Sequence, residues 1–394
     1  MRRFLPVSLT RRLPWGLVGM LALIGSTELL LTRARSSLTN KVAACWNRAG
    51  KDAERARDAK ILCLGTSIVK IGVLPRVLEE RTGKRAKNLA VFGGPIPASY
   101  FLLRRALAAG SRPEAVIIDC QDMAIPGRSR EFLAEELRFH TRLWSELLDL
   151  TECFDLSWSA GNTDFFVRSV LARALPSFKE REDIRDAIGG ALQARDDRIR
   201  DQMKICERNW AANQGAHVLE RNPASEDMKW PPTDLPAHLI AEAVPPDPRM
   251  FESVQGAYAR RLLALAESRG ITVFWLLPPF PAQIQAHHDD NGETFLSVQL
   301  ARTLQSRFRG MVVIDGRRST YNAGVFADTV HLDRDGAALL STDLGTIVAR
   351  HLANPASSPS WVPLPRDPGV VPDVPMIEDF CESALVLQKR GVIR

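Results

Sequence analysis

The chain lacks the signatures of several common chemistries. Its six cysteines (Cys45, Cys63, Cys120, Cys153, Cys206, Cys381) form no CxxC pair and show no regular spacing, which argues against a disulfide framework. Cys63 and Cys120 fall in or beside apolar runs, where cysteine behaves as a small hydrophobe. There is no Gly-Lys-Ser/Thr and no GxGxxG, so phosphate-loop and dinucleotide chemistry lack their motif. A sugar transferase using nucleotide donors likewise finds no paired-carboxylate metal motif. No internal repeat is present. The charge excess is only +6 over 394 residues, much of it arginine near the N-terminus, which gives a nucleic-acid partner little support. What is present is globular: 45% hydrophobic and 25% charged residues, in a chain long enough for one large α/β domain with an insertion or for two domains.

The N-terminus differs in kind. Arg2, Arg3, Arg11 and Arg12 precede the apolar run Trp15–Leu31, which at about 1.5 Å per residue nearly spans a bilayer core. No small-x-small cleavage site follows cleanly, and Arg33 and Arg35 close the segment, so residues 1–35 read as a signal anchor rather than a cleaved signal. The arginines ahead of it, set against Arg33, Arg35 and Lys41 behind it, favour a cytoplasmic N-terminus and an extracytoplasmic, periplasmic body. Glu28 is expected in the membrane interface. Residues 36–59 are polar and basic and read as a helical or irregular stalk.

From Lys60 strands alternate with helices. Lys60–Leu64, Ala86–Ala90, Ala115–Asp119, Ile271–Leu277 and Met311–Asp315 read as five short apolar strands. Helices are expected over Pro75–Thr82, Ala98–Ala109, from Val254 to Gly270, over Phe295–Phe308 and over Gly336–His351. This pattern predicts an α/β domain over residues 60–354 with a parallel sheet covered on both faces. An insertion at about 127–247 holds helical text (Glu131–Leu150, Phe165–Leu175, Lys179–Arg208) and a Pro-rich exit; it reads equally as a cap over the site or as helices padding the sheet edge. Residues 355–394 read as a Pro-rich tail, with one short helix over Ile377–Leu387.

Ligands of such sheets bind at the carboxyl ends of the strands. Ser67, in Gly65-Thr66-Ser67, sits there after the first strand, and Gly93-Gly94-Pro95 follows the second. Asp328-Thr329-Val330-His331 lies just before the last helix. A serine hydroxyl becomes a nucleophile when a histidine takes its proton, and that histidine needs an orienting group. Each residue also has a plainer reading: Ser67 as a turn or cap residue, Gly93-Gly94 as a tight turn, Asp328 as a loop residue with Asp333 or Asp335 capping the helix. His287-His288-Asp289-Asp290 reads as an exposed polar loop, since neighbours in a loop point different ways.

The strand-end Gly-x-Ser, the glycine turn after a second strand and the late Asp-x-x-His together resemble the SGNH/GDSL hydrolase superfamily, in particular members anchored to membranes that handle acyl groups on cell-envelope polysaccharides. The resemblance covers about Lys60–Asp122 and Ile271–His351. It implies a three-layer, flavodoxin-like fold with Ser67 as nucleophile, His331 as base and Asp328 as orienter. It implies an oxyanion site from the backbone N–H groups of Ser67 and Gly93, with Gly94 a close competitor. The family's Gly-x-Asn-Asp block is missing after Asp119; the sequence there is Cys120-Gln121-Asp122-Met123, and Gln121 is the available amide donor. The implied activity is that of a serine esterase or O-acyltransferase with no cofactor, acting on an acylated or acyl-accepting carbohydrate, with a membrane acyl-donor protein as partner in the transferase case. The alternative is a non-catalytic carbohydrate-binding or assembly protein that keeps the fold.

Overall fold

The computed structural model describes residues 15–34, 41–119, 137, 140–181, 184–185, 196–221, 253–366, 374 and 377–393. At its centre is a six-stranded, wholly parallel sheet of order β2-β1-β3-β4-β5-β6. The strands are β1 (Ile61–Leu64), β2 (Ala86–Asn88), β3 (Ala115–Asp119), β4 (Thr272–Leu277), β5 (Met311–Asp315) and β6 (Trp361–Pro363). Alternate residues face opposite layers, so both faces of each inner strand must be apolar. Leu62, Leu64, Val116, Ile118, Val273 and Trp275 join one core, and Ile61, Cys63, Ile117, Phe274 and Leu276 the other.

Helices α3 (Ser67–Gly72) and α4 (Pro75–Thr82), together with the long C-terminal helix over Arg334–Ala353, cover the second face. The first face is covered by α5 (Ile96–Ala108) and by helices over Val254–Glu267 and Glu293–Arg307. The result is three layers, helix, sheet and helix. The chain adds β2 on one side of β1 and then β3 on the other, which puts the topological switch, and the crevice it opens, at the carboxyl ends of β1 and β3.

Three expectations need correction. The stretch read as a stalk is helix α2 (Lys41–Glu54), which buries Ala43, Cys45, Trp46, Ala49 and Ala53 in the first core. Its charged face hid an apolar stripe at helical spacing. The Pro-rich tail supplies the sixth strand: β6 pairs with β5 along Val313↔Trp361, Ile314↔Val362 and Asp315↔Pro363, and Leu364 behind it is buried. Proline is tolerated there because β6 is an edge strand. The text Glu131–Leu150, where described, is not one helix; it gives α6 (Thr141–Leu147), and a new helix, α7 (Leu150–Ala160), starts at Asp149 with a capping box to Glu152.

The insertion continues with α8 (Thr163–Ala174), α9 (Pro176–Lys179) and α10 (Asp196–Ala212). It is fused to the body. Trp144 of α6 meets Trp46 of α2 edge to face at 5.1 Å, both fully buried. Beyond α10 the chain runs back along the β2 edge, where Asn88 N–H donates to Gln214 O at 3.1 Å, so the described part of the insertion pads the sheet edge. The last helix, α11 (Phe380–Lys389), docks on α10 through Ile205, Leu387 and Ile393 and a two-pronged Arg208–Glu378 pair at 2.8 and 2.6 Å. The Pro-rich exit of the insertion lies outside the described residues.

Helix α1 (Trp15–Ala34) stands apart from these layers. Its Trp15–Arg33 segment is the one helix among the described residues long and apolar enough to cross a membrane. Glu28 does not face the interface unpartnered: it accepts hydrogen bonds from the backbone N–H of Ser177 at 2.9 Å and from the Ser177 hydroxyl.

If α2 is core rather than stalk, Trp46→Ala should destabilise the protein by about 3–5 kcal/mol. A denaturant midpoint measured on the full chain in detergent checks this; an unchanged midpoint would return α2 to the role of a spacer.

Candidate active site

The site begins where β1 stops. Gly65 turns the chain at φ +122°, and a Cβ there would lie 2.0 Å from Asp119 Oδ1, so only glycine fits. Thr66 is the N-cap of α3; its hydroxyl accepts from Ile68 N–H at 3.1 Å. Asp119, the last residue of β3, holds this turn from the side. Its carboxylate accepts the Thr66 backbone N–H at 2.8 Å and the Thr66 hydroxyl at 2.6 Å, with the residue fully buried. Ser67 is thereby fixed as the first residue of α3, and Thr66 takes the capping role that was the plainer reading of the serine.

The partner loop arrives from the far end of the chain. Phe326 and Leu332 form an antiparallel bridge, and Ala327 N–H donates to His331 O at 2.8 Å. Between them Asp328 folds back on itself. One carboxylate oxygen accepts from Val330 N–H at 2.9 Å and His331 N–H at 2.8 Å, and the other lies 2.7 Å from His331 Nδ1. The opposite ring nitrogen, Nε2, is 2.8 Å from Ser67 Oγ. A carboxylate can only accept, so Nδ1 carries the proton and Nε2 is left to accept from the serine. Asp333 caps the helix that follows by accepting from Asp335 and Gly336 N–H, which frees Asp328 for the histidine.

Burial would raise the Asp328 carboxyl, but the hydrogen bonds from His331 and Val330 outweigh it and hold its pKa below the ordinary carboxylate value. A carboxyl depressed in the folded state stabilises the fold above its unfolded pKa. That contribution is lost only as pH falls through the depressed value.

The glycine turn after β2 touches the same place. Val91 N–H donates to Gly65 O at 3.1 Å, and a Cβ on Gly94 would lie 2.8 Å from that oxygen. Gly94 N–H is committed to Val91 O at 3.1 Å. Gly93 has φ +61°, and no atom of the described residues lies within 4 Å of where its Cβ would be. Gln121 lies outside the described residues. Asn88 is no substitute amide, since its Nδ2 donates to Val69 O and Val73 O at 2.8 and 2.9 Å and holds α3 in place.

An apolar cluster of Ile68, Phe280 and Ile284, with Val330 against it, flanks the serine and histidine. Phe280 also lines a small pocket, open to solvent, with Trp275, Pro278, Gln285 and His288. Gln285 Oε1 is buried there without a hydrogen-bond donor among the described residues. His287 and His288 are on a helix, Ala282–Asp290, not in a loop. His288 packs edge to face on Phe280 at 4.8 Å, and burial together with His287 lowers its pKa to about 4. Across the site, the insertion's return segment brings in His217, whose Nδ1 accepts from Trp210 Nε1 at 3.1 Å. Burial, then Lys41, Lys70 and His331, hold it well below the ordinary histidine pKa, so it stays neutral.

The structure thus brings Ser67, Asp328 and His331 into one relay and sets the Gly93-Gly94 turn against the loop that carries the serine. Asp119 and His217 were not singled out in the sequence. Asp119 left a faint signal, a lone acid ending an apolar strand, which must find a partner when buried; His217 left none. Set against models of known protein families and against curated proteins, the chain matches none of them.

Gly65→Ala should push the Asp119 carboxylate off the Thr66 turn and strain the backbone, lowering stability by about 1–3 kcal/mol. Thermal unfolding of the variant beside wild type reads this out, and an unchanged melting temperature would contradict the packing described.

Proposed function

We propose that the chain is a membrane-anchored serine acyl-transfer enzyme of the SGNH type, an esterase or O-acyltransferase acting on an ester-linked acyl group of a cell-envelope or exported polysaccharide. The observation that carries this reading is the continuous relay from Asp328 through His331 to Ser67, with contacts of 2.7 and 2.8 Å. It is supported by the place of that relay at the switch point of a parallel sheet.

In the proposed reaction His331 Nε2 takes the Ser67 proton as Oγ attacks the ester carbonyl, and the imidazolium that forms is held by Asp328. The tetrahedral oxyanion is held by the N–H groups of Ser67 and Gly93; Gly94 is the weaker choice because its N–H is already bonded within the turn. His331 then returns the proton to the leaving alcohol. Water or a sugar hydroxyl, deprotonated by the same nitrogen, attacks the acyl-serine and frees the enzyme. No cofactor is needed for these steps.

Labelling of the full-length chain with a fluorescent fluorophosphonate tests the reading. Wild type should label, Ser67→Ala and His331→Ala should not, and Asp328→Asn, which leaves the imidazole in the wrong tautomer, should slow labelling by on the order of 10²–10⁴-fold. A folded wild type that stays unlabelled would sink the enzyme reading and favour a non-catalytic carbohydrate-binding or assembly role. If labelling succeeds, aryl-ester turnover with and without added oligosaccharide separates hydrolysis from transfer.

A further inference from the structure

The helical hairpin α7–α8 is apolar on two sides. Its inner side, with Cys153, Leu156 and Phe165, is buried in the body. On its outer side the exposed positions of α7 are Leu150, Thr151, Phe154 and Trp158, one helical stripe in which Phe154 is 54% and Trp158 79% exposed. The exposed positions of α8 are Thr163 and Asp164 in its first turn and then Val167, Val170, Leu171 and Ala174, an apolar stripe beyond that turn with Val167 54% exposed. The two stripes are one surface: Phe154 stacks on Trp158 at 6.2 Å and meets Phe166 of α8 edge to face at 5.7 Å. A soluble protein seldom leaves so many large apolar side chains together in water.

The position of this surface relative to α1 says what covers it. Glu28 bonds Ser177 at the start of α9, and α9 follows α8 directly. Glu28 lies five residues before Arg33, about 7–8 Å along the helix axis from the charged end of the apolar segment. With α1 across a bilayer, that contact falls at the membrane boundary, and the C-terminal end of α8 is held there. Arg173 of α8 donates to Leu148 O, which brings the first turn of α7 to the same level. Aromatic side chains flanked by aliphatic ones are the composition that settles at a headgroup boundary.

We infer that the outer face of the α7–α8 hairpin lies in the surface of the lipid bilayer, so that the body is held against the membrane at a second point besides its anchor. This rests on reading α1 as membrane-spanning. Its consequence is orientation: a body tied at two places cannot swivel about α1, and its site is kept at a fixed height above the lipid.

The experiment uses the full chain in phosphatidylcholine vesicles, with Cys120 and Cys381 changed to Ser and single cysteines introduced by Trp158→Cys, Val170→Cys, Leu21→Cys and Arg269→Cys. Each is labelled with an environment-sensitive fluorophore, and quenching by spin-labelled lipid is compared with quenching by aqueous iodide. The expected result is lipid quenching at 158 and 170 as at 21, with iodide quenching only at 269. If 21 is lipid-quenched while 158 and 170 behave like 269, the inference is overturned with the anchor intact, and the face is left to a protein partner. If 21 is itself iodide-quenched, the anchor reading falls and this inference with it.

Discussion

One buried carboxylate fixes the geometry of the site. The register Cys63↔Ile117 and Leu64↔Ile118 sets the end of β3 level with the turn that follows β1, and there Asp119 takes both hydrogen-bond donors of Thr66. A charge so deeply buried is tolerable only when its oxygens are bonded. The turn in turn gains a wall it cannot swing past. Gly65 is required because that oxygen occupies the space a side chain would take. The position of Ser67 is therefore a property of the sheet register and not of its own loop.

The histidine is placed by a different device. Its loop is short and closed on itself by the Phe326–Leu332 bridge, and Asp328 bonds two backbone N–H groups ahead of it as well as the imidazole. The aspartate thus shapes the loop and orients the ring together, which explains why a spacing of three residues suffices. The half of the relay on α3 and the half before the C-terminal helix meet because both helices cover the same face of the sheet, joined through Leu74 N–H to Ser341 Oγ at 2.8 Å.

The segments outside the repeating α/β pattern serve the body more than the site. Helix α2 and the insertion complete the first core through Trp46 and Trp144, and the tail closes the sheet and clamps α10. Among the described residues of these segments, the return segment with His217 comes near the relay. The insertion also reaches α1, so the same helices that pad the sheet connect it to the membrane-spanning candidate.

Five of the six strands, most of the covering helices and the Ser67, Asp328 and His331 set were legible in the residues, because continuous apolar runs and helical spacing are local signals. The burial of helix α2 in the core was missed because basic residues on its outer face masked its apolar stripe, and β6 was missed because a proline-rich edge strand has no apolar run of its own. Gln121 stands outside the described residues. The Asp119 clamp and the approach of His217 were not legible, since each depends on which strand or return segment lies beside which, and no local pattern encodes that. By itself the sequence determined the elements and the chemical types at their ends. Tertiary structure alone decided the contacts, because a hydrogen bond of 2.8 Å between residues 264 positions apart exists only once the sheet has set their distance.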